Sequence, residues 1–375
     1  MKTAWLAYTV AAAAACVMVG VYWDISWHMS IGRDTFWTPA HLLIQAGGLV
    51  AGTSSGYVAL KTTFGGSDAE RETGVRFWGF RAPLGAWICI WGCGAMLASA
   101  PFDNWWHNAY GLDVKIVSPP HTVLALGIFG ICVGALLLTL AQQNRAEGKE
   151  RDRLSLLLAL LGGLLLMNFA VFTTEYSNRV SQHSGDFYVI MARMFPLALV
   201  GLGVAVRRRW PATTAAAAYL AVMLLLMWII QLFPATPKLA PVYRHVTHMV
   251  GMNFPLLLIA PAVVIDLVLR RWQGRIGVLP LAALLGVAFL VPFLAAQWPF
   301  AAFLVESPLS RNAIFNAENY TYWTPPTSFL LRHQFAGPEP GAPSLAAALG
   351  IALVTAAASS LLGLGWGRWM TKVRR

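Results

Sequence analysis

The sequence predicts an all-α, polytopic integral membrane protein of about ten transmembrane helices with both termini cytoplasmic. Three observations carry that expectation. Apolar residues make up 57% of the 375 residues and charged residues only 11%, whereas about a quarter of a soluble domain is charged. The apolar residues gather into stretches long enough to cross a bilayer, which takes about 20 residues. The basic residues fall mostly in alternate connections between those stretches, as the excess of Lys and Arg in cytoplasmic loops requires.

Taken in order, the first stretch (4–24) runs straight into Asp24 with no small-residue cleavage motif, so it is expected to remain as a helix. The second (40–60) follows Thr38-Pro39, an N-cap and first-turn proline pair. It is the least apolar, because Gly47, Gly48, Thr53, Ser54 and Ser55 interrupt it. Further stretches lie at 83–102, at 120–141 behind Ser118-Pro119-Pro120, and at 154–174, 187–206, 212–233, 249–269, 277–297 and 345–366. The longest connection, about 298–344, carries Glu306, Glu318, Tyr320, Tyr322, Trp323 and His333 among prolines, a composition suited to a lid or docking surface. Cys16, Cys89, Cys93 and Cys132 all fall inside apolar stretches, which argues against a disulfide framework. Cys89 and Cys93 stand at i, i+4 and read as small packing residues rather than soft metal ligands.

The formal charge of +11 has the same explanation as the topology. With the termini inside, Arg145, Lys149, Arg151 and Arg153, then Arg207 to Arg209, then Arg270, Arg271 and Arg275 all face the cytoplasm. No nucleic acid is needed to account for the charge. The same topology places all eight histidines, His28, His41, His107, His121, His183, His245, His248 and His333, at the outer boundary. The expected location is a bacterial inner membrane, with any chemistry on the periplasmic face.

Two stretches on that face share one grammar. DISWHMSIGRDTFWTPAH, Asp24 to His41, joins the first span to the second, and DNWWHNAYGLDVKIVSPPH, Asp103 to His121, joins the third to the fourth. Asp24 aligns with Asp103, Trp27 with Trp106, His28 with His107, Gly32 with Gly111, Asp34 with Asp113 and His41 with His121, with one inserted residue. Asp and His four apart share a helix face if the helix runs a turn past the apolar core. The proline-led entry puts the second His in the first turn of the next helix. Each module then brings one carboxylate and two imidazoles together, a donor set that admits copper, iron or zinc. Asp34 and Asp113 suit the role of accepting an imidazole N–H behind the ligand, with Arg33 alternatively neutralising Asp34. The neighbouring Trp residues read as membrane-interface belt and packing groups. A third polar cluster on the same face comprises Glu175, His183, Asp186, His245 and His248, with no carboxylate at matching spacing to the His245 and His248 pair.

The first module resembles the signature of the metal-site subunit of the copper membrane monooxygenases, the family of particulate methane and ammonia monooxygenase. Asp24, Ser26, Trp27, His28, Arg33, Asp34, Thr35, Thr38, Pro39 and His41 match it; Phe36 and Trp37 depart from its order, and Ala40 stands where it has Ser. The resemblance implies that Asp24, His28 and His41 form a copper site at which catalysis occurs. The second module resembles the family's adjacent copper site, with Asp103 where the family has Asn. A carboxylate there adds charge and binds a divalent metal more tightly.

The resemblance covers the first six spans, residues 1–206, and is strong only in the two modules; residues 207–375 are expected to add helices and the long outer loop. It implies oxygen-dependent hydroxylation of a small apolar substrate, with A- and B-like subunits, an electron donor, surrounding lipid and a homo- or hetero-oligomer. The competing function is copper capture and delivery without turnover. A transporter is the weaker alternative, since no run of ionisable groups crosses the membrane interior.

Overall fold

The computed structural model describes residues 4–32, 35–111, 118–318, 320–328, 331 and 343–375. Helices dominate: α1 (Ala4–Ser30), α2 (Pro39–Gly65), the short α3 (Asp68–Glu72), α4 (Leu84–Tyr110), α5 (Pro119–Gln143), α6 (Gly148–Phe172), α7 (Gly185–Ala205), α8 (Pro211–Ile230), α9 (Ile259–Trp272), α10 (Val278–Glu306) and α11 (Leu345–Met370). Among the described residues the one sheet is the hairpin of β1 (Val75–Phe77) and β2 (Phe80–Ala82), with Val75 opposite Ala82. Trp78 and Gly79 turn it with φ of 46° and 84°, the left-handed backbone that two-residue hairpins favour. Nothing in the sequence pattern predicts a strand here.

Eight described helices, α1, α4, α5, α6, α7, α8, α10 and α11, are long and apolar enough to cross a membrane, so the chain is an all-α, multi-pass membrane protein. Eight of the ten expected spans meet these limits of length and apolarity, and two do not, for two physical reasons. α2 has 27 residues, but its Gly, Ser and Thr positions leave it outside the apolar set. α9 has only 14 residues because residues 249–258 do not form helix; Pro255, within that run, has no N–H for a helical ladder. α10 continues to Glu306, so the long connection begins at 307 rather than about 298.

Contacts divide the chain into two compact units: Met1–Val21, Thr35–Leu165 and Lys372–Arg375 form one, Tyr22–Asp34 and Leu166–Thr371 the other. The chain passes from one unit to the other after Val21, Asp34, Leu165 and Thr371. In the first unit α4 packs on α5 and on α2. The α4–α5 seam is backbone against backbone: a Cβ at Gly85 would sit 2.5 Å from the Gly134 carbonyl oxygen, and one at Gly92 would sit 2.9 Å from that of Gly127. Small residues permit this approach where lipid supplies no hydrophobic drive between helices. Cys89, Cys93 and Cys132 are buried free thiols, and Cys89 packs into the seam against Gly134.

In the second unit α7 packs on α11, α10 and α9, and α8 lies against α9. The unwound run before α9 is buried, so its amides need partners, and side chains supply them. Val250 N–H donates to Ser30 Oγ at 2.7 Å, Met252 N–H to the Tyr22 hydroxyl at 3.0 Å, Leu256 N–H to the Tyr219 hydroxyl at 3.1 Å and Leu257 N–H to Gln297 Oε1 at 2.9 Å. Asn316 Nδ2 in turn donates to the carbonyls of Gly251 and Met252 at 2.9 and 2.7 Å. Each such bond avoids the roughly 1–3 kcal/mol that an unsatisfied buried amide costs.

Candidate metal centre

α4 remains helical as far as Tyr110, which sets Asp103 and His107 one turn apart on the same face. Gly111 ends it with φ 86°, its N–H on the His107 carbonyl at 3.0 Å. α5 then starts at Pro119, with Ser118 as its N-cap accepting the His121 N–H at 3.4 Å. His121 is thereby fixed in the first turn, as the proline-led entry predicts. The result is convergence: Asp103 Oδ1 lies 3.4 Å from His107 Nε2 and 3.5 Å from His121 Nε2.

This convergence fits a metal ion better than a hydrogen-bonded cluster. Asp103 Oδ1 is buried and accepts no hydrogen bond from the described residues, although two imidazole nitrogens face it. Ligands about 2.0–2.2 Å from a metal in tetrahedral or octahedral array stand roughly 3.0–3.5 Å from one another, the separation of each imidazole nitrogen from Asp103 Oδ1. His107 Nδ1 donates to the Gly111 carbonyl at 2.9 Å, which leaves the lone pair on Nε2, the atom that faces Asp103.

The first module repeats the construction. α1 stays helical to Ser30, and His28 Nε2 is 3.9 Å from Asp24 Oδ1. Thr38 is the N-cap of α2 with Pro39 following, but its hydroxyl turns back to accept the Thr35 N–H at 3.0 Å instead of capping forward. Asp24 and His28 stand one turn apart in the last turns of α1, within the second unit, and His41 stands in the first turn of α2, within the first. His41 Nδ1 donates to the Thr35 carbonyl at 2.9 Å, again placing the proton on Nδ1 and the lone pair on Nε2. Gly32, with φ 84°, matches Gly111, so the repeat extends to the backbone. Both modules are half-open: the His28 side chain is 49% exposed and that of His121 39%, which lets an ion enter without unfolding either helix.

The α1 exit belongs to the second unit and is held within it. Tyr322 N–H donates to the Met29 carbonyl at 3.2 Å and Lys238 N–H to that of Ile31 at 2.9 Å. The Tyr322 ring occupies the space a side chain at position 32 would need, and burial pushes its phenol above the ordinary tyrosine range. Tyr322 signals itself in sequence only as one aromatic residue of a long loop.

Other sequence expectations fare differently. Arg33, Asp34 and Asp113 lie outside the described residues, as does His333. The N–H-accepting role expected of the two aspartates is taken, at His41 and His107, by the carbonyls of Thr35 and Gly111. No three residues of the third cluster are grouped as possible ligands among the described residues. His183 is 1% exposed, donates to the Trp298 carbonyl at 3.0 Å and packs edge-on against that ring, a structural role. Glu175, Asp186, His245 and His248 are exposed, and His248 Nδ1 pairs with Thr247 Oγ1 at 3.1 Å.

Compared with protein-family models, with curated proteins and with solved structures, the chain matches none.

Proposed function

We propose that this chain is a copper-binding, multi-pass protein of a bacterial inner membrane, acting at two Asp/His/His modules on the periplasmic face. It works as the metal-site component of an oxygen-dependent hydroxylation of a small apolar substrate. The observation that carries this is the approach of His107 Nε2 and His121 Nε2 to the buried Asp103 Oδ1, with the same residue types at the matching positions Asp24, His28 and His41 of the repeat. Two imidazoles and a carboxylate also admit iron and zinc; the resemblance of the first module to copper membrane monooxygenases is what selects copper.

Bound copper supplies the redox chemistry for activating oxygen. The residues of the chain do the positioning. The carbonyls of Thr35 and Gly111 hold the rings of His41 and His107 by their Nδ1–H groups, so that Nε2 presents its lone pair. Asp24 and Asp103 each offer a negative charge against a cation. A- and B-like subunits and an electron donor complete the system, and an apolar substrate arrives through the lipid that surrounds the helices.

A second reading, capture and delivery of copper without turnover, is favoured by the half-open ligands. Two cavities, one lined by Thr174, Tyr219 and Asn253 and one by Arg208, Arg209 and Arg270, include none of the ligand residues in their walls. The two readings separate in one experiment on purified, copper-loaded protein in lipid nanodiscs with its partner chains and a reductant. Oxygen uptake coupled to a hydroxylated product, lost in His28→Ala, supports the oxygenase. Copper passing to a chelating acceptor with no oxygen uptake supports delivery and rejects turnover.

A further inference from the structure

A different site lies in the second unit, where α7, α8 and α9 meet. Arg208, Arg209, Arg270, Gln273, Asp266 and Leu269 line a cavity of about 140 Å³. A water occupies about 30 Å³ of liquid, so the space takes a group of several heavy atoms. Three arginines, Arg208, Arg209 and Arg270, line it, and arginine presents planar N–H pairs matched to phosphate oxygens. The one carboxylate in the wall, Asp266, is already used. It is 2% exposed and accepts the N–H groups of Ala212 and Thr213 at 3.2 and 2.9 Å and the Thr213 hydroxyl at 2.7 Å.

The charge around the cavity is therefore strongly one-sided. Asp266 is the only acidic residue between Asp186 and Glu306, while Arg207, Arg271 and Arg275 stand in the same two connections as the lining arginines. Arg270 is held in place, its guanidinium 3.8 Å above the Trp210 ring and donating to the Arg209 carbonyl. Arg271 lies over the ring of Trp272 at 4.9 Å. Trp beside Arg at helix ends belongs to the headgroup level of a bilayer, and basic pockets between helices there suit anionic headgroups.

We propose that this cavity binds a phosphate group, presented by an anionic phospholipid headgroup. The proposal does not depend on the metal modules. The test uses the full chain in detergent, stripped of lipid, with native mass spectrometry counting bound lipid as phosphatidylglycerol or phosphatidylcholine is added back. Wild type is expected to retain phosphatidylglycerol and not phosphatidylcholine. Arg208→Gln/Arg209→Gln is expected to bind at least about tenfold more weakly, as is Arg270→Gln, while Arg275→Gln, outside the cavity wall, binds as wild type. The double variant removes no ring contact, so it remains informative if Arg270→Gln fails to fold. Displacement of phosphatidylglycerol by millimolar inorganic phosphate would keep the phosphate site and overturn its lipid source. Equal retention of the two lipids by wild type, or wild-type retention of phosphatidylglycerol by the double variant, overturns the site itself.

Discussion

Asp103 is the residue at which the second module departs from the pattern it resembles, and its environment explains what a carboxylate does there. Its Oδ1 is buried, lacks a hydrogen-bond donor among the described residues and faces two imidazole nitrogens; a cation is the partner such an atom wants. Asp103→Asn keeps the shape and removes the charge, so copper(II) binding at the second module should weaken about tenfold or more, read by titrating the metal-free protein. Unchanged affinity would mean that the carboxylate is not a ligand. Gly111 sets the direction of the chain after the helix. With φ at 86°, Gly111→Ala should cost about 1–2 kcal/mol in thermal unfolding even though no described residue stands where its Cβ would go. The Asp, His and His identities were legible in the sequence because i, i+4 spacing and proline-led helix entries are local signals. The acceptors Thr35 and Gly111 were not, because every residue carries a carbonyl and only the folded loop selects one.

At the scale of elements, the run before α9 is the clearest case of a structure that hydropathy cannot see. Residues 249–269 are apolar enough to read as a span, yet half of them are unwound, because hydropathy counts side chains and not backbone donors. The residues that make the unwound form tolerable, Tyr22, Tyr219, Gln297 and Asn316, are scattered through the sequence. Tyr219→Phe leaves the Leu256 amide without its acceptor and should destabilise the fold by about 1–3 kcal/mol. Hydrogen exchange at Leu256 should rise with it; an amide as protected as in wild type would place its acceptor elsewhere. The α4–α5 seam was equally hidden, since glycines weaken a helix prediction although here they bring two helices together. Gly92→Val forces a side chain against the Gly127 carbonyl and the Ile131 amide. It should cost about 1–3 kcal/mol and reduce copper at the second module while sparing the first.

For the whole molecule, composition settled the class: a chain with 11% charged residues and eight long apolar helices is multi-pass. The count was less legible, because one expected span is too polar and another is half helix. Whether the broken segment nonetheless crosses decides the sidedness of everything after it. With Tyr243→Cys and Arg275→Cys placed before and after it, a membrane-impermeant thiol reagent should reach the two from opposite sides of sealed vesicles. Labelling from one side would make the segment re-entrant and reverse the orientation proposed for the later helices. The two modules stand on the consecutive pairs α1 with α2 and α4 with α5, so each should load with metal independently. The most direct measurement is the copper content of purified wild type, His28→Ala, His107→Ala and the double variant, by elemental mass spectrometry. The predicted result is about two ions per chain in wild type, about one in each single variant and none in the double. If both single variants keep the wild-type copper content, the two Asp/His/His modules are not the metal sites.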